Sequence, residues 1–93
     1  YYRTNSGREV DFIVPSISPE TGDRTGWRLV QVCESLADPR TRKREVSALL
    51  EAMDEMKEAA GTIVTRDEED RIDADGKRIE VLPAWRFLLT SPD

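Results

Sequence analysis

The chain has 93 residues, with 14 Lys and Arg against 19 Asp and Glu for a formal charge of −5, and its length leaves room for a single domain, 1–93. At 38% hydrophobic and 35% charged residues, with 5 Gly and 5 Pro, it is composed like a folded domain, not a disordered or collagen-like chain, and its acidic balance argues against a dedicated nucleic-acid binder. The absence of His and the single Cys, Cys33, exclude an internal disulfide, a Cys/His zinc cluster and the Ser-His-Asp and Cys-His hydrolases.

The run Tyr1–Thr4, the turn Asn5-Ser6-Gly7-Arg8 and the run Glu9–Val14 predict a β-hairpin, because aromatic and β-branched residues flank a Ser-Gly pair. Pro15 ends the second strand, and 16–26 is a polar connection. Trp27–Cys33 is a third strand, apolar enough to be central. Asp38 then offers an N-cap and Pro39 a first helical residue. Val46, Leu49, Leu50, Met53, Met56 and Ala60 recur at three- and four-residue spacing, predicting an amphipathic helix over 39–60 stopped by Gly61. Thr62–Thr65 is a short buried strand, so strand, helix and strand make a parallel βαβ unit. After a solvated loop at Asp67–Asp70, Arg71–Asp73 and Lys77–Val81 form a second hairpin around Asp75-Gly76. Pro83 opens a last amphipathic turn, Ala84–Leu89, and Trp27, Trp85 and Phe87 are assigned to the core. The fold class is α/β, a mixed sheet with a central parallel βαβ unit, flanking hairpins and one long helix on one face. No run approaches the ~20 apolar residues of a membrane span and no charged-then-apolar leader opens the chain, so a soluble, cytoplasmic protein without membrane contact is expected. The start at Tyr1-Tyr2, without Met and straight into a strand, reads as a fragment of something longer.

Residues able to carry chemistry gather in the second and third predicted strands. Side chains alternate, so Glu9, Asp11 and Ile13 share a face, as do Leu29, Gln31 and Cys33, and neighbouring strands bring Asp11 near Gln31. A carboxylate inside Val10–Val14 needs a partner; it is either a site residue or one side of a cross-strand pair with Arg28 or Arg8. Cys33, with no His to activate it, reads first as a packing residue. Arg40, Arg42, Lys43 and Arg44 occupy the first turns of the helix, where the dipole disfavours cations. They predict an anion beside them: a nucleic-acid phosphate, an acidic partner surface or the chain's own acidic loop. Asp73-x-Asp75-Gly76 echoes part of a calcium loop, but the distant Glu is missing and a hairpin fits better.

The run Gly7-Arg8-Glu9-Val10-Asp11-Phe12-Ile13-Val14, then Leu29-Val30-Gln31-Val32-Cys33, the Arg44-Glu45 helix and Val81-Leu82-Pro83-Ala84-Trp85-Arg86-Phe87-Leu88-Leu89 resemble the C-terminal domain of prokaryotic AAA-type ATPases of the archaeal-ATPase group. The likeness covers nearly the whole chain apart from the 16–26 loop. It implies a fold similar to the PD-(D/E)XK nucleases, the restriction-endonuclease and junction-resolvase class. It also implies an upstream ATPase domain as partner and carrier of ATP, since this chain has no Gly-x-x-x-x-Gly-Lys-Ser/Thr loop. In such nucleases an Asp on one strand and a Glu on the next hold a divalent metal, and a Lys two residues further on stabilises charge at the phosphate. Asp11 matches the Asp; Gln31 stands in place of the Glu and Cys33 in place of the Lys. Glu9, on the same face as Asp11, could lend a second carboxylate to a magnesium ion, but at roughly 7 Å along the strand it would need a further ligand from elsewhere. A neutral amide is a weak ligand for a hard ion and a thiol does not replace a cation. The resemblance thus implies an accessory domain with an eroded metal site, acting in nucleic-acid or partner binding. The alternatives are a metal-dependent DNA endonuclease using Asp11 with an upstream Glu, and a structural homo-oligomerisation module.

Overall fold

Alternating apolar residues make seven strands, and the three-and-four spacing after Asp38 makes the long helix, in a computed structural model that describes residues 1–58 and 60–90. The elements are β1 (Tyr2–Arg3), β2 (Glu9–Val10), β3 (Phe12–Ile17), β4 (Arg24–Val32), α1 (Pro39–Met56), β5 (Ala60–Thr65), β6 (Asp70–Ala74), β7 (Lys77–Pro83) and α2 (Ala84–Thr90). A five-stranded sheet runs in the order β3-β4-β5-β7-β6, and β1 and β2 form a separate two-stranded ribbon. β4 and β7 lie parallel to β5 on either side of it, whereas β3 and β6 are antiparallel to their neighbours, so the mixed α/β sheet with its central parallel unit is present. The central strand is β5, not the third predicted strand.

One face of the sheet carries the rows Ile13, Leu29, Gly61, Ile79 and Gln31, Ile63, Val81, as the strand register requires. α1 lays Ala48, Leu49, Ala52 and Met53 on these rows, which places the main core between helix and sheet. Asp38 caps the helix as expected, accepting from Arg40 N at 2.8 Å. The hairpin at Asp75-Gly76 also forms as expected, with φ of 53° and 74° at its two central residues.

Several boundaries differ from the sequence reading. The predicted strand Glu9–Val14 breaks at Asp11, so Glu9–Val10 pairs with β1 while Phe12 onward pairs with β4. The break arises because Asp11 N donates to Gln31 Oε1 at 2.9 Å and Asp11 Oδ2 accepts from Val32 N at 2.8 Å, so a side chain at each end stands in for ladder bonds. Pro15 does not end the strand; β3 is an edge strand, where a missing N–H is tolerated, and Pro15 pairs with Trp27. β3 and β4 therefore extend into the predicted 16–26 loop, reaching Ile17 and starting at Arg24.

The long helix ends at Met56 rather than at 60. Its left-handed stop is Lys57, at φ 58° and ψ 39°, and Glu58 N closes the turn on Met53 O at 2.9 Å. Gly61 instead sits inside β5 directly beneath α1, where an added Cβ would lie 2.9 Å from Met53 Sδ and 3.1 Å from Leu49 Cδ2. A glycine is needed there for close approach of helix and sheet, not for a turn. Within the loop read as solvated, Glu68 is half-buried and accepts from Leu36 N at 2.7 Å and Ser35 Oγ at 3.0 Å, pinning the segment after β4. Trp85 is no core residue: it is 61% exposed, because α2 turns it away from the sheet. Trp27 and Phe87 are half-buried beneath the guanidinium groups of Arg24 and Arg28, at 4.7 and 4.8 Å from the ring centroids.

Gly61→Ala is expected to lower stability by about 1–3 kcal/mol through overpacking against Leu49 and Met53, read as a lower urea midpoint at unchanged slope. In a Met53→Ala background, itself destabilised by the cavity it leaves, Gly61→Ala should cost less than it does in the wild type.

Candidate functional site

The break at Asp11 and the end of β4 together build a polar corner beside α1. Gln31 is 1% exposed, and every part of its amide is used. Its Oε1 accepts from Asp11 N at 2.9 Å, while Nε2 donates to Glu9 O at 3.3 Å and Glu45 Oε2 at 3.1 Å. The two candidate residues Asp11 and Gln31 are therefore brought together, but through the Asp11 backbone rather than as two oxygens converging on an ion. Asp11 itself is exposed rather than buried in a strand, and its carboxylate accepts from Val32 N at 2.8 Å. Glu9 points to solvent and contributes its carbonyl, not its carboxylate.

Glu45, on α1, enters the sequence reading only through the Arg44-Glu45 helix and not as a candidate site residue. Burial pushes its carboxyl above the usual range; Arg44 pulls the other way and Asp11 adds to the rise. Cys33 is half-buried, with Sγ 3.9 Å from Ser35 O. Burial first, then the carboxylates Glu45 and Glu68, push its thiol upward, the opposite of an activated nucleophile. Among the described residues no three of His, Cys, Asp or Glu are grouped so as to hold a metal ion.

The basic run does not act as one group. Arg42 Nη2 lies 3.4 Å from Asp70 Oδ2, so the chain's own acidic loop supplies its anion, while Arg40, Lys43 and Arg44 are exposed at the start of α1. The calcium-like Asp73 meets Arg71 along its own strand at 3.3 Å and Arg78 across the hairpin at 3.7 Å.

A different surface emerges on the face of the sheet away from α1. There α2 packs on β5 and β7 and leaves the β3–β4 half open. Between α2 and the open strands lies a groove of about 830 Å³, walled by Phe12, Val14 and Val32 on one side and by Ala84, Phe87 and Leu88 on the other. Phe12 and Val32 are 55% and 48% exposed. Sequence reasoning missed this surface, although a signal was present: Phe12, Val14, Val30 and Val32 fall on the face opposite Ile13, Leu29 and Gln31, so both faces of these strands are apolar.

No helix among the described residues is long and apolar enough to cross a membrane. Compared with known proteins, the chain matches no family model, no curated protein and no solved structure.

Two measurements check this corner. A carboxyl whose affinity for a proton is greater in the folded state favours folding most below the unfolded-state value near pH 4–5, and that contribution is lost as pH rises through the folded-state value. Glu45→Gln should therefore raise the melting temperature by a few degrees at pH 7 and leave it nearly unchanged at pH 4. Alkylation of Cys33 by iodoacetamide at pH 8 should run several-fold slower in the folded protein than in urea, with its pH inflection displaced upward.

Proposed function

We propose that the chain is a non-catalytic accessory domain of an AAA-type ATPase, with a nuclease-like scaffold whose metal corner has become structural and whose work is protein binding. The observation that carries this reading is the buried Gln31 amide: its Oε1 and Nε2 are committed to Asp11, Glu9 and Glu45. An amide held this way ties β2, β3 and α1 to β4; turning its oxygen toward an ion would leave Asp11 N without its acceptor, at a cost of about 1–3 kcal/mol. Cys33 adds support, since a raised thiol supplies no cation to a phosphate. The ATPase assignment rests on the sequence resemblance, and ATP belongs to the upstream domain in that reading.

Partner binding is favoured over nucleic-acid binding for two reasons. The formal charge is −5, and Arg42, one of the four cations in the basic run, is already paired within the chain. The open β3–β4 face, by contrast, is a large apolar surface of the kind that marks a protein contact.

The reading is tested by incubating supercoiled plasmid with the protein and magnesium or manganese, alongside Asp11→Ala. No cleavage is expected from either. Nicking or linearisation by the wild type that Asp11→Ala abolishes would establish the endonuclease alternative instead.

A further inference from the structure

We infer that the open face of β3, β4 and α2 is the contact surface of a homodimer, in which the outer ridge of each α2 enters the groove of the other copy. This rests on the reading of the domain as a protein-binding module and names its partner as a second copy of the same chain. Trp85, Leu88 and Leu89 recur at three- and four-residue spacing and form one apolar ridge on α2, exposed at 61%, 72% and 78%. Leu88 also forms part of the groove wall opposite Phe12 and Val14. Ridge and groove are thus neighbours on one surface. That is the arrangement a two-fold contact requires, because the same patch must both give and receive.

The area fits as well. Phe12, Val14, Ile17 and Val32 on the strands are between 38% and 55% exposed, and the three ridge residues more so. At roughly 150–250 Å² for each aromatic side chain and less for Val, Leu and Ile, these fractions leave on the order of 600 Å² of apolar surface open on strands and ridge together. A typical monomer's largest patch is about 300–600 Å², and a standard interface buries about 800 Å² on each partner. Electrostatics does not oppose the contact at this place. The formal charge of −5 would repel two copies at long range, but the ridge and groove walls are uncharged, and Arg28 at the groove floor is stacked on Phe87 and within 3.5 Å of Thr62 Oγ1.

The test is sedimentation velocity of the 93-residue chain across a concentration series, at physiological salt, for wild type, Leu88→Glu and Phe12→Glu. Both side chains are exposed, so at concentrations where every chain is monomeric, circular dichroism and melting temperature should stay at wild-type values. The wild type is expected to shift from monomer to dimer as concentration rises, and each variant to weaken the dimer at least tenfold. A wild type that remains monomeric through the millimolar range overturns the inference, and so does a dimer that both variants leave intact. Neither result touches the reading of a non-catalytic domain, which stands or falls on Asp11-dependent cleavage.

Discussion

The protein depends on one buried side chain, the Gln31 amide. It stands where the strand ladder fails: Asp11 leaves the ladder, and the amide takes over its N–H while holding the Glu9 carbonyl and the Glu45 carboxylate. A buried polar group costs stability unless it is satisfied, and here the satisfaction is complete; among the described residues no buried side-chain polar atom lacks a partner. The bend at Asp11 lets a single run of chain serve two sheets, with β2 swinging onto α1 and β3 closing the edge of the main sheet. The ribbon is then fastened to α1 from outside, by Tyr2 Oη donating to Glu55 Oε1 at 2.6 Å and Ser6 Oγ to Glu51 Oε1 at 2.6 Å. The Ser6 bond is exposed and the Tyr2 bond part-buried, so the ribbon is held from outside as well as by the buried amide.

The two faces of the sheet are finished differently. On the α1 face the helix approaches closely because Gly61 has no side chain, and Leu49 and Met53 fill the space above it. On the other face α2, seven residues long, packs on β5 and β7 and meets β4 through Arg28, stacked on Phe87. The open half is the antiparallel β3–β4 pair, whose outward side chains Phe12, Val14 and Val32 are apolar although such a pair can face water on one side.

The legible part of the fold was the part governed by local rules. Asp38 and Pro39 marked the start of α1, and Asp75-Gly76 marked its hairpin, because caps and tight turns are set by one or two residues. The end of α1 was misread because Gly61 looked like a left-handed stop while Lys57 adopted that conformation instead; a glycine required for close packing and one required by a turn are identical in sequence. Pro15 was misread for a related reason, since only the edge position of β3 makes a proline acceptable there. Alternation placed Asp11 near Gln31, but it could not show that the contact runs through the Asp11 backbone. Nor could it reveal Glu45, which reaches the corner only because α1 folds back over β4.

The same constraint links the polar corner on one face to the apolar groove on the other. A hard cation calls for negative oxygens free to move onto it, whereas here one oxygen of Asp11 accepts from Val32 N and one of Glu45 from the Gln31 amide. Freeing them would loosen the bend at Asp11, and Phe12 and Val14 follow that bend directly in β3. The position of the groove wall is therefore set by the hydrogen bonds that occupy Gln31, so rigidity at the polar corner and a shaped apolar surface on the opposite side are two consequences of one arrangement.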